Sequence, residues 1–170
     1  MFHVRTATWA DIAAIDALLA RAYPRLLRPD YPPSVLVTAL PRISRAQPRL
    51  VTSGTYFVVE AQEEEEEGGA ILGAGGWTRD APGGAAAHPG LGHIRHVVTD
   101  DRQVRRGIGR ALMTHVIATA RAAGLTRLDC LSTRTAVPFY AAMGFAALGP
   151  VTVPLGPGID FPAVAMTRAI

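Results

Sequence analysis

The chain has 170 residues, which fits one compact domain spanning 1–170 and leaves little room for a second. Apolar residues make up 49% and charged residues 18%, which excludes a wholly disordered chain, and the single cysteine, Cys130, excludes an intramolecular disulfide and a CxxC-type zinc site. The net charge of +3 hides an asymmetry: five of the 14 acids form the block Glu63–Glu67, and all 17 basic residues are arginine.

Phe2 to Ala7 reads as a short strand. Thr8 with Asp11 three positions later forms a capping-box pattern, and Ile12, Ile15, Leu18 and Leu19 at helical spacing predict a helix to about Tyr23. Pro24, Pro29, Pro32 and Pro33 predict a loop carrying Tyr23 and Tyr31. A second helix follows near Ser34 to Arg45, interrupted or ended early by Pro41. Thr55 to Ala61 is β-branched and aromatic, hence a strand, and Ala70 to Thr78 is a second, glycine-rich one. The glutamate block with Gly68 and Gly69 joins them as a solvated hairpin loop.

Ala81 to Gly92 has no periodicity and reads as a flexible loop, followed by a strand from His93 to Thr99. Gly107 to Ala123 is the strongest helix. Ile108, Leu112, Val116 and Ala120 line one face, and Gly124 stands at the C-cap. Arg127 to Leu131 is a strand, Ala136 to Met143 a short helix ending at Gly144, and two last strands lie near Phe145 to Val153 and Phe161 to Thr167. Thr135 to Ile159 carries no charge and is long enough to span a bilayer. It holds eight Pro or Gly residues, so it reads as short elements joined by turns. The N-terminus has no basic stretch followed by an apolar run, so a cytoplasmic protein with no membrane partner is expected. The element order gives an α/β (α+β) fold around a mostly antiparallel sheet with one βαβ crossover.

The segment from His96 to Arg110 carries the chemistry. A strand ends, a turn brings Arg102, Arg105 and Arg106 together with Gly107, and the strong helix starts at Ile108, Gly109 and Arg110. Free N–H groups at a helix N-terminus, two glycines and nearby arginines make an anion site. A P-loop is excluded because the chain has no lysine, and the third glycine of a dinucleotide fingerprint is replaced by Leu112. His, Asp and Glu show no metal-ligand spacing, so no metal is expected. A nucleic-acid partner is not expected either, since no aromatics interleave with the arginines.

Arg105-Arg106-Gly107-Ile108-Gly109-Arg110-Ala111-Leu112 resembles the acyl-CoA-binding motif of the GCN5-related N-acetyltransferases, the GNAT superfamily. Ala136 to Phe145, with Phe139-Tyr140 followed by Gly144-Phe145, resembles that family's second signature. The resemblance covers nearly the whole chain. It implies a sheet of about seven strands flanked by about four helices, with a splayed parallel strand pair. It also implies acetyl-CoA as co-substrate, a primary amine as acceptor, and direct attack in a ternary complex. Main-chain atoms of Val97, Val98 and Thr99 would contact pantetheine, Arg105 to Arg110 the pyrophosphate, and Thr133 the acyl or pantetheine region. Tyr140 would assist the leaving thiolate. The chain departs from the pattern at Val104, where Gln or Arg is usual, at Asp101, where Pro is usual, and at Thr133, where Asn is frequent. A non-catalytic acyl-CoA-binding or regulatory module of the same fold is the alternative. The acceptor would be a small amine or an exposed protein amine, a homodimer is allowed, and Tyr23 and Tyr31 would line the acceptor pocket. For the general base, His93, His96, Glu60, Asp100 and a water chain remain open, while His115 and Cys130 read as structural.

Overall fold

The computed structural model describes residues 1–62 and 69–170; the expected glutamate hairpin loop, residues 63–68, lies outside the described residues. The described elements are β1 (Phe2–Thr6), α1 (Ile12–Leu27), α2 (Pro33–Ile43), α3 (Pro48–Val51), β2 (Tyr56–Ala61), β3 (Ile71–Thr78), β4 (Leu91–Thr99), α4 (Ile108–Ala122), β5 (Arg127–Ser132), α5 (Val137–Ala142), β6 (Ala146–Gly156) and β7 (Ile159–Ala169). The strands form one sheet in the order β1-β2-β3-β4-β5-β7-β6. All neighbours are antiparallel except β4 and β5, the parallel pair joined by the α4 crossover. This is the mixed, mostly antiparallel sheet that the sequence implied.

The sheet separates two apolar layers. On one side Ile15, Leu18, Leu19 and Ala22 of α1 pack with α2 and with Tyr56 and Val58. On the other, Leu112, Met113, Val116 and Ala120 of α4 pack with Phe57, Val59 and Leu128. The i, i+4 spacing of each stripe sets which helix face is buried. A 3-10 turn (Trp9–Asp11) precedes α1, and the Thr8 N–H donates to the Asp11 carboxylate at 2.7 Å, so the capping box forms one turn earlier than the helix proper.

Two proline-based expectations fail, and both failures place the site. α1 runs through Pro24 to Leu27, and α2 runs through Pro41 to Ile43. In α1, Tyr23 and Leu27 continue the buried stripe on either side of Pro24. Their packing outweighs the hydrogen bond that Pro24 cannot donate. Tyr23 is therefore a helix residue, not a loop residue. The short α3 carried no periodic signal and was not expected.

Candidate active site

β4 and β5 pair only at Leu91–Arg127, Gly92–Leu128 and His93–Asp129. Beyond these rungs β4 stays paired to β3 as far as Thr99, and β5 stays paired to β7 as far as Ser132. A gap therefore opens in mid-sheet, flanked by two strand edges without mutual hydrogen bonds.

A bulge shapes the β4 side of this gap. Gly76 pairs with Arg95 and Ala74 with Val98, so Gly75 faces both His96 and Val97. His96 takes the left-handed conformation, φ +51°, which strands rarely contain. A Cβ on Gly75 would stand 2.7 Å from Val97 Cγ2, so only glycine fits opposite the bulge. Two buried phenols hold the bulge: Tyr56 donates to the His96 carbonyl and Tyr23 to the Val97 carbonyl, each at 2.8 Å. Burial raises the pKa of both phenols, so both stay protonated donors at neutral pH.

At the gap lies a cavity of about 360 Å³. Val97, Val98, Thr99, Arg105, Gly107, Ile108, Gly109, Arg110, Thr133 and Tyr140 all line it. At its rim the backbone is left-handed at Arg105 (φ +65°) and at Gly107 (φ +78°), the N-cap of α4. The first helical bond runs from the Ala111 N–H to the Gly107 carbonyl at 3.0 Å. The N–H groups of Ile108, Gly109 and Arg110 thus precede the hydrogen-bond ladder and are free to meet an anion. Gly109 also sits where a Cβ would be 3.0 Å from the Phe139 ring, so its size seats α4 against α5. Arg106 lies apart. The left-handed turn at Arg105 sends the next side chain the other way, where it bonds the Gln103 side chain and lines a separate cavity with Arg21 and Arg102.

A second cavity, of about 210 Å³, adjoins the one at the gap. The two cavities share Tyr23, Val97, Thr133, Ala136 and Tyr140. Tyr140 is 5% exposed and packs edge-on against Phe139 and Phe145. Burial pushes its pKa well above that of a free phenol, and the neighbouring Cys130 adds to the shift, so its hydroxyl keeps its proton at neutral pH. Burial likewise pushes the Cys130 thiol up to about 12, which makes it inert as a nucleophile.

Of the candidate bases, only His96 faces the gap, lining the smaller cavity with Nε2 2.7 Å from the Ile43 carbonyl. Burial lowers its pKa, favouring the neutral ring. Burial lowers the His93 pKa as well, but His93 lies in the paired part of β4, opposite Asp129. Glu60 is bonded by Arg5 at 2.8 Å. Asp100 is bonded by the Arg102 N–H at 2.9 Å and paired with Arg21 at 3.0 Å. Although burial opposes it, these partners hold the Asp100 carboxyl below its usual range, so it is a poor proton acceptor. His115 packs edge-on against Phe57. Tyr31, expected in the acceptor pocket, is a buried tie: it stacks on Phe161, donates to the Pro162 carbonyl at 2.7 Å and accepts from the Arg134 N–H at 2.8 Å.

Tyr23, expected in the acceptor pocket, lines the smaller cavity. Sequence reasoning missed its place on α1 and its bond to the Val97 carbonyl, although Ile12, Ile15, Leu19 and Tyr23 continue one helical face; Pro24 hid it. It also missed the bulge at His96, which only Gly75 opposite it could have suggested. Among the described residues there is no cluster of three or more His, Cys, Asp or Glu that could hold a metal, and no helix long and apolar enough to cross a membrane.

The family model described as "Acetyltransferase (GNAT) domain" matches residues 29–161. Comparison with curated proteins finds no match. Among solved structures, the chain resembles a GCN5-related N-acetyltransferase from Rhodopseudomonas palustris at 20% identity and a TM-score of 0.75, with 98% of this chain and 94% of that one covered. A Corynebacterium glutamicum protein described as histone acetyltransferase HPA2 and related acetyltransferase is 28% identical, with a TM-score of 0.61 and coverage of 98% and 95%. A Mycobacterium tuberculosis protein solved in complex with CoA is 21% identical, with a TM-score of 0.60 and coverage of 98% of both chains.

Proposed function

Since the chain belongs to the GNAT acetyltransferase family, we propose that it moves the acetyl group of acetyl-CoA directly to a primary amine in a ternary complex, within a single domain spanning 1–170. The observation that carries this reading is the pair of cavities meeting at the splayed strands, where they share Tyr23, Val97, Thr133, Ala136 and Tyr140. A thioester lying in the larger cavity would present its carbonyl through the gap to an amine held in the smaller one.

The larger cavity fits the co-substrate. Its rim offers the main-chain N–H groups of Ile108, Gly109 and Arg110 and the guanidinium groups of Arg105 and Arg110, a donor set suited to a pyrophosphate. The free edge of β4 from Val97 to Thr99 offers main-chain groups to the pantetheine amides, though the Val97 carbonyl is already taken by Tyr23. Thr133 lines both cavities, where its hydroxyl would face the acyl group. The structure of the relative solved with CoA supports the same ligand class.

In the reaction the neutral amine attacks the thioester carbonyl, a C–N bond forms, and the C–S bond breaks as the tetrahedral intermediate collapses. The nitrogen loses its proton to His96 or to water, and the sulfur leaves as a thiolate. Tyr140, held neutral by burial, donates a hydrogen bond to that sulfur as its negative charge builds, and the proton released by the amine restores the phenol as its own passes to the thiolate. The acceptor is a small amine or an exposed protein amine, and the proposed compartment is the cytoplasm, consistent with a buried, unpaired cysteine.

The test is a panel of primary amines with acetyl-CoA, following thiol release and acetylated product by mass. Acceptor-dependent turnover supports the proposal. Tight acetyl-CoA binding with no product from any amine would instead favour a non-catalytic module.

A further inference from the structure

The smaller cavity is apolar over most of its wall, with Ile43, Leu131, Val153, Leu155 and Phe161 contributing, and among the described residues its one charged side chain is Arg95. No Asp or Glu lines it among the described residues. Arg95 is half-buried on β4, and its Nη1 donates to the Thr78 hydroxyl at 3.0 Å. Among the described residues it forms no ion pair. Asp80, on the loop after β3, acts on it only at longer range. A guanidinium withdrawn from water in an apolar wall carries a desolvation cost that one neutral hydroxyl does not offset. The groups that meet it best are carboxylates, which accept two parallel N–H bonds from its planar fork.

We infer that the acceptor is an amino-acid-like amine, with an apolar body, a primary amine and a carboxylate, and that Arg95 binds the carboxylate. This rests on the proposed function, because it takes the smaller cavity as the acceptor side. The volume of about 210 Å³ holds one small molecule, and the apolar wall takes its side chain. The cavity's sign also argues against polyamines, since no acid among the described residues lines it to meet a second ammonium group.

The test uses apolar amino acids, each with its amide and its decarboxylated amine, at saturating acetyl-CoA. The amino acids are expected to exceed both partners by roughly tenfold or more in kcat/KM, the range of a charged hydrogen bond, with most of the effect in KM. Arg95→Gln should erase that preference while leaving the KM for acetyl-CoA unchanged and the melting temperature no lower, and Arg95→Lys should retain part of it. If Arg95→Gln does not fold, the wild-type preference and the Arg95→Lys variant decide. Amides and simple amines turned over as well as the amino acids, or a preference that survives Arg95→Gln, would overturn this inference alone. No turnover of any amine would overturn it together with the transfer reading.

Discussion

The Tyr23 hydroxyl donates to the Val97 carbonyl at 2.8 Å, joining α1 to the bulged strand across 74 positions of sequence. Tyr56 does the same for the adjacent His96 carbonyl, so two helix-side and sheet-side phenols fix the one irregular turn of β4. The bulge lies just past the last β4–β5 rung, and buried phenols hold its geometry from within the core.

Replacing Tyr23 by Phe leaves a carbonyl unpaired in the interior, a loss of about 1–3 kcal/mol. For a chain of this length each kcal/mol lowers the melting temperature by roughly 2–4 °C. Tyr23→Phe should therefore melt several degrees lower and turn over more slowly, because Val97 lines both cavities. Calorimetry and kcat on the same preparation check this; an unchanged melting temperature would mean that the carbonyl finds another partner.

Gly109 and Gly107 are small for different reasons, and their alanine variants separate them. At Gly109 the new methyl group would lie 3.0 Å from Phe139 Cε2, the ring next to Tyr140. At Gly107 the methyl meets nothing within 4 Å, but the residue sits at φ +78°. Gly107→Ala should cost about 1–2 kcal/mol of backbone strain and weaken CoA binding through the distorted turn. Gly109→Ala should lower kcat more than Gly107→Ala does, by pushing Phe139 and with it Tyr140. Equal kcat in the two variants would contradict the seating of α4 on α5.

The Arg5 guanidinium bonds Asp11 at 2.8 and 2.9 Å and Glu60 at 2.8 Å. Its hydrogen bonds hold both carboxyls below their ordinary values of 3.8 and 4.5. Lowered carboxyl pKa values add stability that is complete above the ordinary values and is lost as pH falls through the lowered ones. Arg5→Gln should cost about 2 kcal/mol at neutral pH, less than a fully buried pair because the Arg5 side chain is 32% exposed. The deficit should shrink below about pH 4. Melting temperatures of both proteins between pH 7 and pH 3 check it, and a deficit independent of pH would contradict the role of Arg5.

Much of this was legible in the sequence because each signal was local. The i, i+4 stripe of α4, the glycines flanking its start and the Phe139-Tyr140 pair before Gly144 mark the crossover and the helix behind the gap. What could not be read depended on long-range contacts or on packing overriding a local rule. Pro24 is a helix breaker by local chemistry, yet the burial of Tyr23 and Leu27 carries α1 through it. The opposite sides taken by Arg105 and Arg106 follow from one left-handed residue that adjacent arginines do not announce. Arg95 gave no signal, since an arginine in a strand reads as a solvated one until the wall around it is known to be apolar.

The most direct measurement of the transfer mechanism is kcat for Tyr140→Phe, taken with acetyl-CoA affinity and melting temperature on one preparation. The substitution keeps the ring between Phe139 and Phe145 and removes only the hydroxyl. General-acid assistance is worth about 10²–10⁴-fold, and the positioning of the two substrates would remain. We expect the variant to fold and bind acetyl-CoA as the parent does while kcat falls at least roughly tenfold. A kcat within about twofold of the parent, a barrier change of only about 0.4 kcal/mol, would contradict the role of Tyr140 as proton donor to the leaving thiolate.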